Sequence, residues 1–125
     1  MSVIFLDPSH LLYEINEYRM SRHQRYIMFS EFLNYLSKEH CKDMIADRIP
    51  FSLENVDIRR NKLSSCVRNS QEILAKIHED KNILEVLVKE ERIKNIIEGV
   101  FNLAGITMYQ IGLNIFVHII LAETF

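Results

Sequence analysis

Histidines and acidic residues are the side chains of this sequence whose types could perform acid–base or metal chemistry. The five histidines are His10, His23, His40, His78 and His118. His78 is adjacent to Glu79, so the two would not share a helix face, and His118 has no second metal ligand three or four residues away. The sequence has no HExxH, GxSxG or glycine-rich phosphate-binding motif. We therefore interpret His118 as a hydrogen-bonded, partly buried histidine, and we expect no catalytic residue, no metal and no cofactor.

The remaining chemically active side chains indicate ordinary surface and thiol roles. The acidic pairs Glu14/Glu17 and Glu90/Glu91 are typical of solvated helix faces. The two cysteines, Cys41 and Cys66, form no CxxC motif and are expected to be free thiols in a reducing compartment. Residues 1–6 are apolar but carry no basic flank, so no signal peptide is predicted. These features favour a cytoplasmic protein that is not an enzyme.

Two clusters of basic residues could instead contact nucleic acid. The first contains Arg19, Arg22 and Arg25, near Tyr13, Tyr18 and Tyr26, and the second contains Arg59, Arg60, Lys62 and Arg68. Stacking and basic side chains together are what a nucleic-acid surface requires. Acidic residues are interleaved throughout, however, and the formal net charge is -2. Nucleic-acid binding is therefore disfavoured and stays an alternative.

Composition and periodicity predict a single all-α domain over residues 1–125. The chain has 125 residues, of which 48% are hydrophobic and 26% charged, values that suit one globular core. Only three glycines and two prolines occur, and no Asn-Gly or Asp-Gly hairpin signal is present. Apolar residues recur at steps of three and four, which is typical of amphipathic helices. We therefore predict a bundle of five to seven helices.

The predicted helices follow from capping residues and apolar stripes. The first begins at Asp7, with Pro8 at the first helical position, where a missing N–H costs nothing. The others are predicted at about 22–39, at 41–48 as a short turn, at 53–80 as one long or two collinear helices, at 82–100, and at 107–122. Thr107 is the predicted cap of the last helix.

The C-terminal stretch is apolar enough to raise the question of a membrane anchor. No lysine or arginine occurs from 95 to 125, and the segment 96–122 exceeds the roughly 20 residues that span a bilayer. Gln110, Asn114 and His118 recur at four-residue steps, and such a polar stripe is costly in lipid. We therefore predict a central hydrophobic helix of the bundle rather than a membrane span.

Three segments, in order, resemble the Bcl-2 family of apoptosis regulators. Residues 31–38 resemble the BH4 helix, 62–74 a BH3 segment and 100–111 a BH1 segment. Leu63, Val67 and Leu74 occupy apolar positions of the BH3-like segment, whereas Gln71 and Glu72 stand in place of its Gly-Asp pair. Gln110 stands where the BH1 motif has arginine. The chain is most similar to the short, virus-encoded members of the family.

The resemblance implies helix-in-groove recognition of a BH3-containing pro-apoptotic protein, in the cytoplasm of a host cell. Because Gln110 can hydrogen-bond but cannot pair charge, Arg59, Arg60 or Arg68 would contact the BH3 aspartate. The expected groove residues are Arg59, Arg60, Leu63, Val67, Arg68, Leu74, Leu84, Leu87, Val88, Met108, Gln110 and Ile111. The alternative is a helical structural or adaptor protein that forms homodimers or larger homo-oligomers without binding BH3 segments.

Overall fold

An antiparallel β-hairpin lies at the centre of the fold. The computed structural model describes residues 2–125, so Met1 of the apolar N-terminal run lies outside the described residues. The elements are, in order, β1 (Ile4–Leu6), α1 (Ser9–Ser21), β2 (Met28–Phe29), α2 (Glu31–Ile45), α3 (Val56–Leu63), β3 (Val67–His78), α4 (Ile83–Lys89), α5 (Glu91–Ile97), β4 (Leu103–Ile111) and β5 (Asn114–Thr124). The central hairpin consists of β4 and β5.

The five strands form one sheet in the order β1-β4-β5-β3, with β2 also paired to β4. Gly112 and Leu113 connect β4 to β5, and Gly112 has a φ of 60°, as the first position of a type II′ hairpin turn requires. β3 pairs antiparallel with β5 over almost its whole length. β1 runs antiparallel to β4 near Met108, whereas β2 runs parallel to β4 at Leu103 and Ala104.

Helices cover both faces of this sheet. On one face, α1, α4 and α5 pack against side chains that alternate along β5, namely Val117, Ile119 and Leu121. On the other face, α2 and α3 pack against the intervening positions, including Ile120 and Ala122. Gly105 allows α2 to approach β4 closely, since a Cβ there would lie 2.2 Å from the Leu33 carbonyl carbon. The result is a three-layer α/β/α arrangement.

The predicted all-α bundle with a central hydrophobic helix is therefore wrong. Residues 107–111 lie in β4, 114–122 lie in β5, and most of 62–78 lies in β3. Because helices bury both faces of the sheet, β4 and β5 are mostly apolar along their lengths instead of showing the alternation that marks a half-exposed strand. A four-residue step also returns to the same face of a strand, so the spacing of Asn114 and His118 fits a strand as well as a helix.

Helices occur in the outer layers near several predicted positions, although the helix predicted at 82–100 is two helices, α4 and α5, divided at Glu90. A helix follows Pro8, and the Asp7 carboxylate accepts from the Ser9 N–H, although the helix itself begins at Ser9. Asn82 caps α4, since its side chain accepts from the Glu85 N–H. The second predicted helix is displaced, because α2 begins only after Ser30 and extends to Ile45, into the turn expected at 41–48. No helix in the described part of the chain is both long and apolar enough to cross a bilayer.

Candidate functional site

A buried polar network lies between α2, α3 and the sheet, with Glu72 of β3 at its centre. Arg59 of α3 donates from Nε to Glu72 Oε2 and from Nη2 to Oε1, both at 2.8 Å. His118 Nε2 of β5 lies 2.8 Å from the same Oε1 atom. Burial raises the pKa of Glu72, but the hydrogen bonds from His118 and Arg59 outweigh it, so the pKa lies below its ordinary value. Glu72 is therefore an ionised carboxylate that holds three elements together.

His40 of α2 extends the network on the other side of Arg59. Its Nε2 lies 2.8 Å from the Ser52 carbonyl oxygen, so this nitrogen carries the proton. Its Nδ1 lies 3.0 Å from Arg59 Nη1 and accepts from it. Burial, and then the electrostatic influence of the neighbouring His118 and Arg59, lowers the pKa of His40 to about 4. His40 is therefore a neutral bridge between α2, α3 and the loop that contains Ser52.

Ser37, His118 and Glu72 have the connectivity of a nucleophile, a base and an orienting carboxylate. Ser37 Oγ lies 2.8 Å from His118 Nδ1, and His118 Nε2 lies 2.8 Å from Glu72. Glu72 raises the pKa of His118, but burial lowers it by more. The lowered pKa favours a neutral ring. Both Ser37 and His118 are 0% exposed, so no substrate reaches this hydroxyl in the folded conformation. His118 is hydrogen-bonded as predicted, although it is fully and not partly buried, and the geometry is that of a structural network.

The same residues do not assemble a metal site. Among residues 2–125, no group of three or more His, Cys, Asp or Glu side chains is arranged to hold a metal ion. His40 and His118 are close, with ring centroids 4.9 Å apart. The Arg59 guanidinium donates hydrogen bonds to both His40 and Glu72. Its positive charge therefore already occupies the position that a metal cation bound by these two side chains would take.

The residues predicted to line a BH3 groove are not brought together. Arg59 is buried in the network just described, and Arg60 pairs with Asp57 at the surface. Leu63 and Val67 pack on the α2 side of the sheet. Leu84, Leu87, Val88 and Met108 pack on the opposite side of it. Leu74 and Ile111 join a third cluster beside Tyr109, whereas Arg68 and Gln110 lie at separate surface positions.

An open apolar cleft lies instead between α1 and β2, and we call it the tyrosine cleft. Its volume is about 290 Å³. Its lining includes Asp7, Leu12, Tyr13, Tyr26, Phe29 and Ile106. Tyr13 and Tyr26 are 58% and 60% exposed, so their rings form the rim. A smaller hollow of about 100 Å³ adjoins it and shares Ile106.

Buried hydrogen bonds fix the segment that forms one side of this cleft. The Asn16 side chain of α1 donates to the Ile27 carbonyl oxygen at 2.9 Å and accepts from the Ile27 N–H at 2.7 Å. Arg19 Nε donates to the Arg25 carbonyl oxygen at 2.9 Å. Its other nitrogens donate to the last carbonyl of α5 and to two carbonyls just after that helix. Tyr26 lies between these two anchored residues. The cleft is therefore formed in the free protein.

Only part of this site is visible in the sequence. Tyr13 and Tyr26 are conspicuous as stacking residues beside the first basic cluster, but Arg19 of that cluster is buried and bonded to backbone carbonyls. Phe29 falls in a predicted helical stripe, whereas it lies exposed in β2. Asn16 carries no sequence signal, because a buried amide that bonds a loop cannot be distinguished from a surface amide by its neighbours in sequence.

Comparison with known proteins finds a protein of similar fold but no matching family. No protein-family model matches the chain. No curated protein matches it in sequence. Among solved structures, the chain is similar to an outer surface protein from Borrelia burgdorferi, with a TM-score of 0.81 and 16% sequence identity over 97% of this chain and 98% of that one. At this identity the similarity shows the fold alone, and it agrees with the mixed α/β architecture.

Proposed function

We propose that this domain recognises another protein by taking a short segment of that partner into the tyrosine cleft. The observation that supports it is an open apolar cleft rimmed by aromatic side chains that are exposed to solvent, Tyr13, Tyr26 and Phe29. Large contiguous apolar patches on a protein surface mark interaction sites and ligand-binding grooves. Tyrosine is enriched among the residues that dominate binding energy at interfaces.

The size of the cleft favours a short segment over a whole amphipathic helix. A helix with apolar anchors over eleven residues presents a stripe about 16 Å long. The cleft volume of about 290 Å³ is at the lower end of small-ligand pockets. One or two side chains fill such a space. The BH3 helix that the Bcl-2 resemblance implies is therefore not the ligand that we propose for the tyrosine cleft. It remains an alternative to be tested by peptide binding.

Preorganisation supports the proposal further. Asn16 and Arg19 hold residues 25–27 through buried hydrogen bonds, and β2 is fixed by the bond from the Met28 N–H to the Asn102 carbonyl oxygen. A segment entering a preformed cleft does not have to order these residues on binding. Binding then costs less of the domain's conformational entropy than it would on a flexible surface.

Selection of displayed random peptides tests the proposal. The wild-type domain, the double variant Tyr26→Ala/Phe29→Ala and the control Leu113→Ala would be used as baits. Leu113 is also an exposed apolar residue, but it lies in the turn of the β4–β5 hairpin. We expect peptides that bind the wild type and the control equally and the double variant at least about tenfold more weakly. Equal binding to all three baits, or no enriched peptide, would refute the proposal.

Calorimetry with a panel of BH3 peptides tests the Bcl-2-type alternative separately. Binding that survives Tyr26→Ala/Phe29→Ala would place the BH3 helix outside the tyrosine cleft. No binding by any peptide at tens of micromolar removes the BH3 hypothesis and leaves the short-segment proposal to the display experiment.

A further inference from the structure

The charge of the tyrosine cleft is set by one residue. Of the nine residues that line it, only Asp7 carries a formal charge at neutral pH. Its Oδ1 atom accepts from the Ser9 N–H at 2.9 Å and from Ser9 Oγ at 2.7 Å. These bonds lower the pKa of Asp7, so the carboxylate is ionised. Neither bond involves Oδ2.

The aromatic rim adds to this negative character. The faces of Tyr and Phe rings carry negative electrostatic potential and attract cations. The domain itself contains such contacts: Lys38 Nζ lies 5.0 Å from the Phe5 ring centroid, and the Arg22 guanidinium lies 5.0 Å from that of Tyr18. Tyr13, Tyr26 and Phe29 line the cleft without a lysine or arginine among the lining residues.

The floor of the cleft is apolar. Leu12, Pro8 and Ile106 contribute to it. A lysine or arginine side chain has a long aliphatic stem that packs on such a surface while its charged end remains near polar groups. The cleft thus combines a surface for the stem, aromatic faces and a carboxylate.

We infer that the tyrosine cleft takes a cationic side chain, a lysine or an arginine of the partner protein, with its charged end beside Asp7. The inference rests on the proposed function and specifies the chemistry of the segment that binds. The charge complementarity favours such an anchor over leucine or phenylalanine, which would fill the apolar floor but give the Asp7 carboxylate no counter-charge.

Asp7→Asn is the matched variant. An asparagine side-chain oxygen can still accept from the Ser9 N–H, so the start of α1 is retained while the charge is removed. Asp57→Asn is the control, because Asp57 is an exposed carboxylate on α3 that pairs with Arg60 outside the cleft.

NMR titrations with two capped amino acids test the inference directly. N-acetyl-lysine methylamide carries the charge, and N-acetyl-norleucine methylamide is its neutral counterpart. We expect the lysine probe to shift the resonances of Tyr13 and Tyr26 with about three- to tenfold higher affinity than the norleucine probe, from one exposed ion pair and cation–π contact. Asp7→Asn should remove most of that preference, whereas Asp57→Asn should retain it.

The outcomes separate this inference from the proposed function. Equal affinity for both probes in the wild type would overturn the cationic occupant and leave the cleft as a protein-binding site. An unchanged lysine preference in Asp7→Asn would likewise overturn it. If neither probe binds, the inference is also overturned, and the displayed-peptide selection decides the proposed function independently.

Discussion

Arg59 and Glu72 form a two-point ion pair in the interior of this domain, with both N–O distances at 2.8 Å. The pair joins α3 to the edge strand β3, and His118 and His40 extend it to β5 and α2. Two charges removed from water are tolerated only when each has its partners. The network therefore fixes how the α2–α3 layer lies on the sheet, and the cleft lies outside it.

Replacement of Glu72 by glutamine is expected to destabilise the domain strongly. The change leaves the Arg59 guanidinium buried without a counter-charge, which typically costs about 3–5 kcal/mol of unfolding free energy. Urea denaturation measures it. The control is Asp57→Asn, whose exposed pair with Arg60 should contribute less than about 1 kcal/mol. Similar losses in both variants would contradict the structural role assigned to the buried pair.

The network also predicts that stability falls on acidification. The unfolded-state pKa of a histidine is near 6.5, whereas that of folded His40 is about 4, and the pKa of His118 is also lowered. Between these values the unfolded chain binds protons that the folded chain does not, so the contribution is complete above pH 6.5 and is lost as the pH falls toward about 4. Each histidine adds a slope of up to about 1.4 kcal/mol per pH unit.

Glu72 acts in the same direction at lower pH. Its folded pKa lies below the ordinary value of 4.5, so its contribution is present above about 4.5 and is lost as the pH falls through the folded pKa. Urea denaturation between pH 7 and 5 isolates the histidines. His40→Gln, which retains a side-chain N–H for the Ser52 carbonyl, should reduce the slope, and an unchanged slope would count against this assignment.

Gly105→Ala is expected to displace α2. A Cβ at this position would lie 2.2 Å from the Leu33 carbonyl carbon and 2.3 Å from the Asn34 nitrogen, both backbone atoms. We expect a loss of about 3 kcal/mol or more, at the upper end of overpacking effects. Gly112→Ala, in open space but at a φ of 60°, should cost only about 1–2 kcal/mol. Equal losses in thermal denaturation would contradict the close approach of α2.

Asn16→Ala tests whether the hydrogen bonds between Asn16 and the Ile27 backbone hold the tyrosine cleft in place. The Ile27 N–H and carbonyl group would each lose a buried partner, at a cost of about 1–3 kcal/mol for each unsatisfied group. The affinity for a selected peptide should fall as well, because Tyr26 loses its fixed position. Asn61→Ala, at an exposed position on α3, is the control for both measurements. Lost stability with unchanged peptide affinity would show that these bonds do not position the cleft.

The outer helices could be predicted from the sequence because their ends carry local signals. Asn82 and Pro8 mark helix starts through side-chain and backbone chemistry that acts within a few residues. The central strands could not be predicted in this way. Residues 117–122 are buried on both faces of the sheet, and an apolar run such as 119–122 has the same appearance in a buried helix.

The buried network illustrates why the site could not be derived from spacing. Arg59, Glu72 and His118 are brought together by strand pairing between β3 and β5 and by the packing of α3, and all three are far apart in sequence. Glu72 stands at a position that the BH3-like pattern assigns to an aspartate, whereas burial and the ion pair with Arg59 give it a structural role. The predicted groove assumed that the residues from Leu63 to Leu74 follow the 3.6-residue period of a helix. Most of them lie in β3, where successive side chains alternate between the two faces of the sheet.

Mapping a bound peptide by amide chemical-shift changes in the ¹⁵N-labelled domain tests the proposed role of the tyrosine cleft most directly. A peptide obtained from the displayed library should perturb amides around Tyr13, Tyr26, Phe29 and Ile106, and Tyr26→Ala should abolish those changes. Perturbations centred on Leu63, Leu84 or Arg68, with the cleft resonances unmoved, would contradict binding in the cleft.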